Sequence, residues 1–175
     1  MLKIFSTQLT GVYNRIMDGE EFSLEDGARL LCQAVVSEGT LYLHGFREMQ
    51  GVMAEAFHGS EPLEFAKPLP DNLADVTTAD RVLLFTRTAD DDEAAALGRE
   101  LRERDIAFVA VSSLHKDQPN ELADLADIHI DTKLTRSLLP GDDGGRYGFP
   151  TLMAALFAYY GLKFNIEEII SEYNE

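Results

Sequence analysis

Residues 79–113 read ADRVLLFTRTADDDEAAALGRELRERDIAFVAVSS, and they decide the fold. Val82 to Phe85 is a short apolar run bounded by charge, as expected of a strand covered on both faces. A helix follows from about Asp90 to Arg104, and its opening acids, Asp90, Asp91, Asp92 and Glu93, suit the positive end of a helix dipole. Ile106 to Val111 is then another buried strand. Strand, helix and strand with short joints form a parallel unit joined by a right-handed crossover.

The same alternation extends outward. Downstream, Glu121 to Leu125 reads as a short helix, and Ile128 and Ile130 flank His129 in an alternating edge strand. Upstream, Leu41 to His44 is a strand that feeds through Gly45 into a helix carrying Met49, Val52, Met53, Ala56 and Phe57, and a weaker strand spans Leu63 to Ala66. Five strands alternating with helices predict a parallel sheet covered on both faces, with ligands at the carboxyl ends of the strands where strand order reverses. The expectation is one domain over 1–175, with its sheet core in 40–131.

The flanks read as helices. In residues 1–38 a first helix through Ile16 ends at Gly19, and a second, capped by Ser23, ends at Gly39. After a Gly- and Asp-rich loop at 139–148, Pro150 opens a helix that is apolar nearly all round and closes at Gly161, and a last short helix is capped by Asn165.

Composition narrows the partners. Thirty-one acidic against fifteen basic residues give a formal charge of −16, which repels nucleic acid and anionic membrane surfaces. Cys32 is the only cysteine, so neither an intrachain disulfide nor a thiolate-rich metal site can form. The longest apolar run, Leu152 to Leu162, is shorter than the ~20 residues of a membrane span, and the start lacks a signal-peptide pattern. A cytoplasmic protein is expected. Adjacent acids at 90–93 point in different directions on a helical turn, and no second cluster completes a shell, so neither metal nor cofactor is expected there.

The two amino-terminal helices, the strand ending at Gly45, the strand ending in a Thr-rich loop and the late apolar helix resemble the SIS (sugar isomerase) domain over nearly the whole chain. Residues 79–113 are similar to the family's third strand, phosphate loop, helix and fourth strand. The resemblance implies a three-layer α/β/α sandwich with strand order 2-1-3-4-5 and a crevice between the strands ending at His44 and Phe85. It also implies a sugar phosphate or similar anionic metabolite as ligand, and a homodimer that shares its sites across the subunit interface.

The family's first loop, Gly-x-Gly-x-Ser, falls on Gly45, Phe46, Arg47, Glu48 and Met49, where only the first glycine is kept. Its phosphate loop, Ser-x-Ser-Gly-x-Thr, falls on Thr86, Arg87, Thr88, Ala89, Asp90 and Asp91: two hydroxyls remain, the glycine is lost, and an acid replaces the last hydroxyl. Ser112 and Ser113 stand where the family often places Ser or Thr after the fourth strand. These matches nominate Gly45, Phe46, Arg47, Glu48, Thr86, Arg87, Thr88, Asp91, Ser112 and Ser113 for ligand binding. Phosphoheptose isomerases of this superfamily use a glutamate on the helix after the first loop and a histidine on the late helix. Glu55 and His58 are the nearest candidates here, and no histidine lies between Pro150 and Gly161.

Two readings stay open. One is a SIS protein binding a phosphorylated sugar, with phosphosugar isomerisation as its enzymatic form. The other is a non-catalytic SIS module serving as a sensor or dimeric interaction protein, its crevice filled by its own side chains. A carboxylate ~5 Å from a phosphate costs about 3 kcal/mol at an effective dielectric near 20, more than one neutral hydrogen bond returns. The second reading therefore expects Arg47 and Arg87 to pair with Asp90, Asp91 or Glu48.

Overall fold

A computed structural model describes residues 1–175. Helix α1 (Leu2–Val35) precedes β1 (Leu41–Gly45), a 3-10 turn (Arg47–Met49), α2 (Gln50–His58) and β2 (Ala66–Pro68). Then come β3 (Arg81–Thr88), α3 (Asp92–Glu103), β4 (Phe108–Ser113), α4 (Glu121–Leu125) and β5 (Ile128–Asp131). A hairpin of β6 (Leu139–Pro140) and β7 (Arg146–Tyr147) leads to α5 (Thr151–Tyr173). The first five strands form one parallel sheet in the order 2-1-3-4-5.

Both faces of that sheet are buried, and the two-residue period of a strand divides them. Leu83, Phe85, Val109, Val111 and Ile130 pack on one face against α1, α2 and α5. Val82, Leu84, Phe108 and Ala110 pack on the other with Ala94 and Leu101 of α3 and Leu122 of α4. The expected three-layer sandwich is therefore present. Asp80 fixes the entry to β3: its buried carboxylate accepts the N–H of Thr40 at 2.7 Å, the N–H of Thr77 at 2.7 Å and the Thr77 hydroxyl at 3.0 Å.

Three expectations need correction. The first two helices are one. The buried stripe of α1 runs unbroken through Leu9, Val12, Ile16, Glu20, Leu24, Ala28 and Leu31. Glu20 is the one acid in that stripe, and Lys133 meets it in an ion pair while its side chain also covers Gly19. Tertiary burial thereby outweighs the ~1 kcal/mol that glycine costs inside a helix. The last two helices are also one. Gly161 lies against Leu24 where α5 crosses α1, and Asn165 does not cap a helix but donates from Nδ2 to the Gly161 carbonyl at 2.9 Å.

The weak strand begins later than expected, at Ala66. Leu63 belongs to the core just before it, and pairing with β1 starts at Leu41↔Ala66. Pro68 is tolerated because β2 is an edge strand.

Candidate functional site

The crevice lies at the carboxyl ends of β1 and β3, where strand order reverses. Gly45 ends β1 in a pinch that only glycine fits, since a Cβ there would sit 2.4 Å from the Met49 carbonyl oxygen. The Phe46 N–H donates to the Phe85 carbonyl at 2.9 Å and ties the two loops together. Arg47 then takes a left-handed backbone with φ 50°, a conformation that glycine adopts freely and arginine does not. Its side chain is thereby turned toward the neighbouring loop.

On the other side β3 carries an irregularity between Phe85 and Thr88, which opens the loop Thr86 to Asp91. Ser113 holds this loop from below, its Oγ donating to the Arg87 carbonyl at 3.1 Å. Asp91 is the N-cap of α3 and accepts the Ala94 N–H at 3.0 Å. Its second oxygen receives the Arg47 guanidinium. Burial pushes the Asp91 carboxyl up, but the Ala94 N–H, Arg47 and the Thr86 hydroxyl together hold it below its ordinary value. Thr86 Oγ1 is fully buried and makes no hydrogen bond of ordinary geometry, although it lies close enough to favour the ionised Asp91.

A second ion pair runs the opposite way. Arg87, from the β3 loop, grips Glu48 of the first loop in a two-pronged contact at 2.8 and 3.0 Å. Thr151, at the start of α5, adds its hydroxyl to the same carboxylate at 2.8 Å. The Arg87 contact is the chief reason that the Glu48 carboxyl falls to about 2. Each loop thus supplies one arginine and one acid, and the crevice is bridged twice.

Of the remaining candidates Ser112 and Glu55 are engaged by other side chains, while Thr88 and His58 make no side-chain hydrogen bond. Ser112 is buried and its Oγ is hydrogen-bonded to His129 Nε2 at 2.8 Å, and burial lowers the imidazole's pKa. Glu55, on α2, accepts the Tyr160 hydroxyl at 2.6 Å, and His58 is the exposed last residue of α2. Neither Glu55 nor His58 is a partner in the two arginine–acid pairs. No group of three His, Cys, Asp or Glu side chains is arranged to hold a metal ion. No helix is long and apolar enough to cross a membrane.

Sequence reasoning missed Thr151 and Tyr160. A threonine following Pro150 at a helix start is a usable signal for the first. The second is one of two adjacent phenols on a nearly all-apolar helix, and only the packing of α5 on α2 shows which of them meets Glu55.

The parallel 2-1-3-4-5 sheet between helical layers matches the fold of solved SIS-type sugar-isomerase structures. Solved structures bear this out. A phosphoheptose isomerase from Francisella tularensis superposes with a TM-score of 0.64 at 13% identity, covering 94% of this chain and 94% of that one. The E. coli CFT073 protein c3406, solved in complex with a sugar phosphate, does so with a TM-score of 0.63 at 12% identity, over 95% and 89% of the two chains. Within that fold, the chain belongs to the family described as a domain of unknown function, DUF2529, which matches residues 1–170. The Bacillus subtilis (strain 168) protein YwjG, itself uncharacterized, is 48% identical over 99% of both chains.

Proposed function

We propose that this chain is a non-catalytic SIS module, a cytoplasmic homodimer that serves interaction, with its crevice closed to sugar phosphates by its own side chains. The observation that carries this reading is the Asp91 carboxylate: it occupies the start of α3 and takes up Arg47, where an anionic ligand would otherwise find free N–H groups and a cation. Isomerisation also needs a base and an acid within reach of adjacent carbons of one substrate. Glu55 is bound to Tyr160, and α5 brings no histidine to it. For the dimer, support comes from four exposed large apolar side chains, Leu2 and Ile4 at Phe5's end of α1 and Tyr147 and Phe149 flanking Gly148, against which Phe5 packs.

A second reading is favoured by one atom. The buried Thr86 Oγ1, without an ordinary partner at the end of β3, is a donor suited to a phosphate oxygen, and a protein of this fold is seen with a sugar phosphate. In this reading a sugar phosphate displaces Asp91 and takes over Arg47 and Arg87.

Thermal-shift titration with the sugar phosphate of the c3406 complex and with inorganic phosphate, on the wild type and on Arg47→Ala, separates the two. A ligand at 100 times its dissociation constant adds about 2.7 kcal/mol of stability. No shift at millimolar ligand is the outcome expected of the non-catalytic module. A saturable shift lost in Arg47→Ala would overturn it in favour of sugar phosphate binding.

A further inference from the structure

Along their contact, α1 and α5 leave a trough of about 470 Å³. Its floor is apolar: Leu24, Phe157 and Gly161 lie at the bottom, while Met17 and Phe164 stand 54% and 60% exposed at its sides. One edge is acidic, formed by Asp18, Glu21 and Glu25 of α1; Glu25 is paired with Arg29 outside the trough, Asp18 and Glu21 have no ion-pair partner, and no lysine or arginine lines the trough itself. An apolar floor with a single-sign charged edge differs from a metabolite site, where a few polar groups converge on the ligand from several sides. It matches the helix-in-groove mode of recognition, in which anchors spaced three and four residues apart enter the groove and flanking charges set orientation.

We infer that this trough is a docking site for a cationic amphipathic helix of a partner protein. Charge complementarity selects that occupant. An anionic membrane surface is repelled by Asp18 and Glu21, and a second copy of this chain has no helix of the required kind. Its α1 carries three basic residues against five acidic ones, its α3 two against four, and its α5 one against three. Two copies meeting here would bring acid against acid on a molecule of charge −16. The site is separate from the Arg47 and Arg87 crevice and stands whether or not that crevice takes a sugar phosphate.

The test uses the full chain and fluorescence anisotropy. The probes are two labelled amphipathic peptides of about 18 residues, five helical turns, one built from Leu and Lys and the other from Leu and Glu. The Leu/Lys peptide is expected to bind saturably and more weakly as salt is raised, and the Leu/Glu peptide not to bind. Asp18→Lys with Glu21→Lys should weaken the Leu/Lys complex about tenfold. Phe164→Ala, at an exposed position, should weaken it by a similar factor with an unchanged thermal melt. Equal binding of both peptides, or unchanged binding in both variants, would overturn the proposal. So would light scattering that shows a dimer broken by Phe164→Asp, which would give the trough to a second copy.

Discussion

Asp91 caps α3 and neutralises Arg47 with the same carboxylate, one oxygen on the Ala94 N–H and the other on the guanidinium. Removing it therefore has two opposite effects. Asp91→Ala is expected to destabilise the protein by about 1–2 kcal/mol through loss of the cap. It should at the same time create affinity for inorganic phosphate, because Arg47, the Ala94 N–H and the Thr86 hydroxyl are all released. Thermal melts with and without phosphate read both effects. A variant that is destabilised yet gains no phosphate dependence would show that the seat collapses when emptied.

Arg47 holds a left-handed backbone, so glycine and alanine should not be equivalent there. Glycine relieves the strained φ while alanine keeps it, a difference of about 1 kcal/mol in favour of Arg47→Gly. The lost ion pair is common to both variants and small, because the arginine is 55% exposed. Urea unfolding of the two variants checks the order. Equal stabilities would mean that the loop relaxes out of the left-handed region once the side chain is gone.

Glu48 supplies an acid-labile brace. Its carboxyl falls from an ordinary 4.5 to about 2 in the folded protein, and Asp91 is shifted in the same direction. A depressed carboxyl contributes stability above its unfolded value and loses it as pH falls toward the folded value. The wild type should therefore lose brace stability between about pH 4.5 and 2. Glu48→Gln should show a shallower acid decline and a lower stability at neutral pH. The difference at neutral pH is expected near 1 kcal/mol, since Arg87 is half exposed and solvent screens the pair. Parallel acid-unfolding curves for the two proteins would remove the brace from the stability of the crevice.

Asp80 tests the sheet instead of the site. It is 6% exposed and satisfies three donors that join β1 to the entry of β3. Asp80→Ala removes the shared acceptor of the Thr40 N–H, the Thr77 N–H and the Thr77 hydroxyl, three hydrogen bonds to one carboxylate, and should cost about 3 kcal/mol. In a chain of this size that lowers the midpoint of thermal unfolding by roughly 6–12 °C. A shift below about 2 °C would mean that water replaces the carboxylate at no loss.

The sheet was legible because β3 and β4 are buried on both faces, and a strand in that position reads as a continuous apolar run. The loop after β3 was legible by its threonines. Helix continuity was not. Glu20 belongs to the buried stripe of α1 only because Lys133, from the segment after β5, neutralises it, and no local pattern announces a partner so distant in sequence. The crossed pairs Arg47–Asp91 and Arg87–Glu48 were legible as two arginines facing three acids, of which Asp90 takes no part. Which arginine takes which acid depends on the left-handed turn at Arg47 and on the approach of α5, which brings Thr151 to Glu48.

The carboxylate at the start of α3 also sets a threshold for anything that would enter. Because Asp91 is tethered, an incoming anion competes with a group whose effective concentration is millimolar or higher, and which is already oriented on its donors. A free oxyanion at micromolar levels is outcompeted before its own contacts count. Only a ligand with additional handholds beyond its phosphate, engaging other parts of the crevice at the same time, would gain enough to move Asp91 aside. Its arrival would be felt at once in α3, because the helix would exchange an internal cap for an external one.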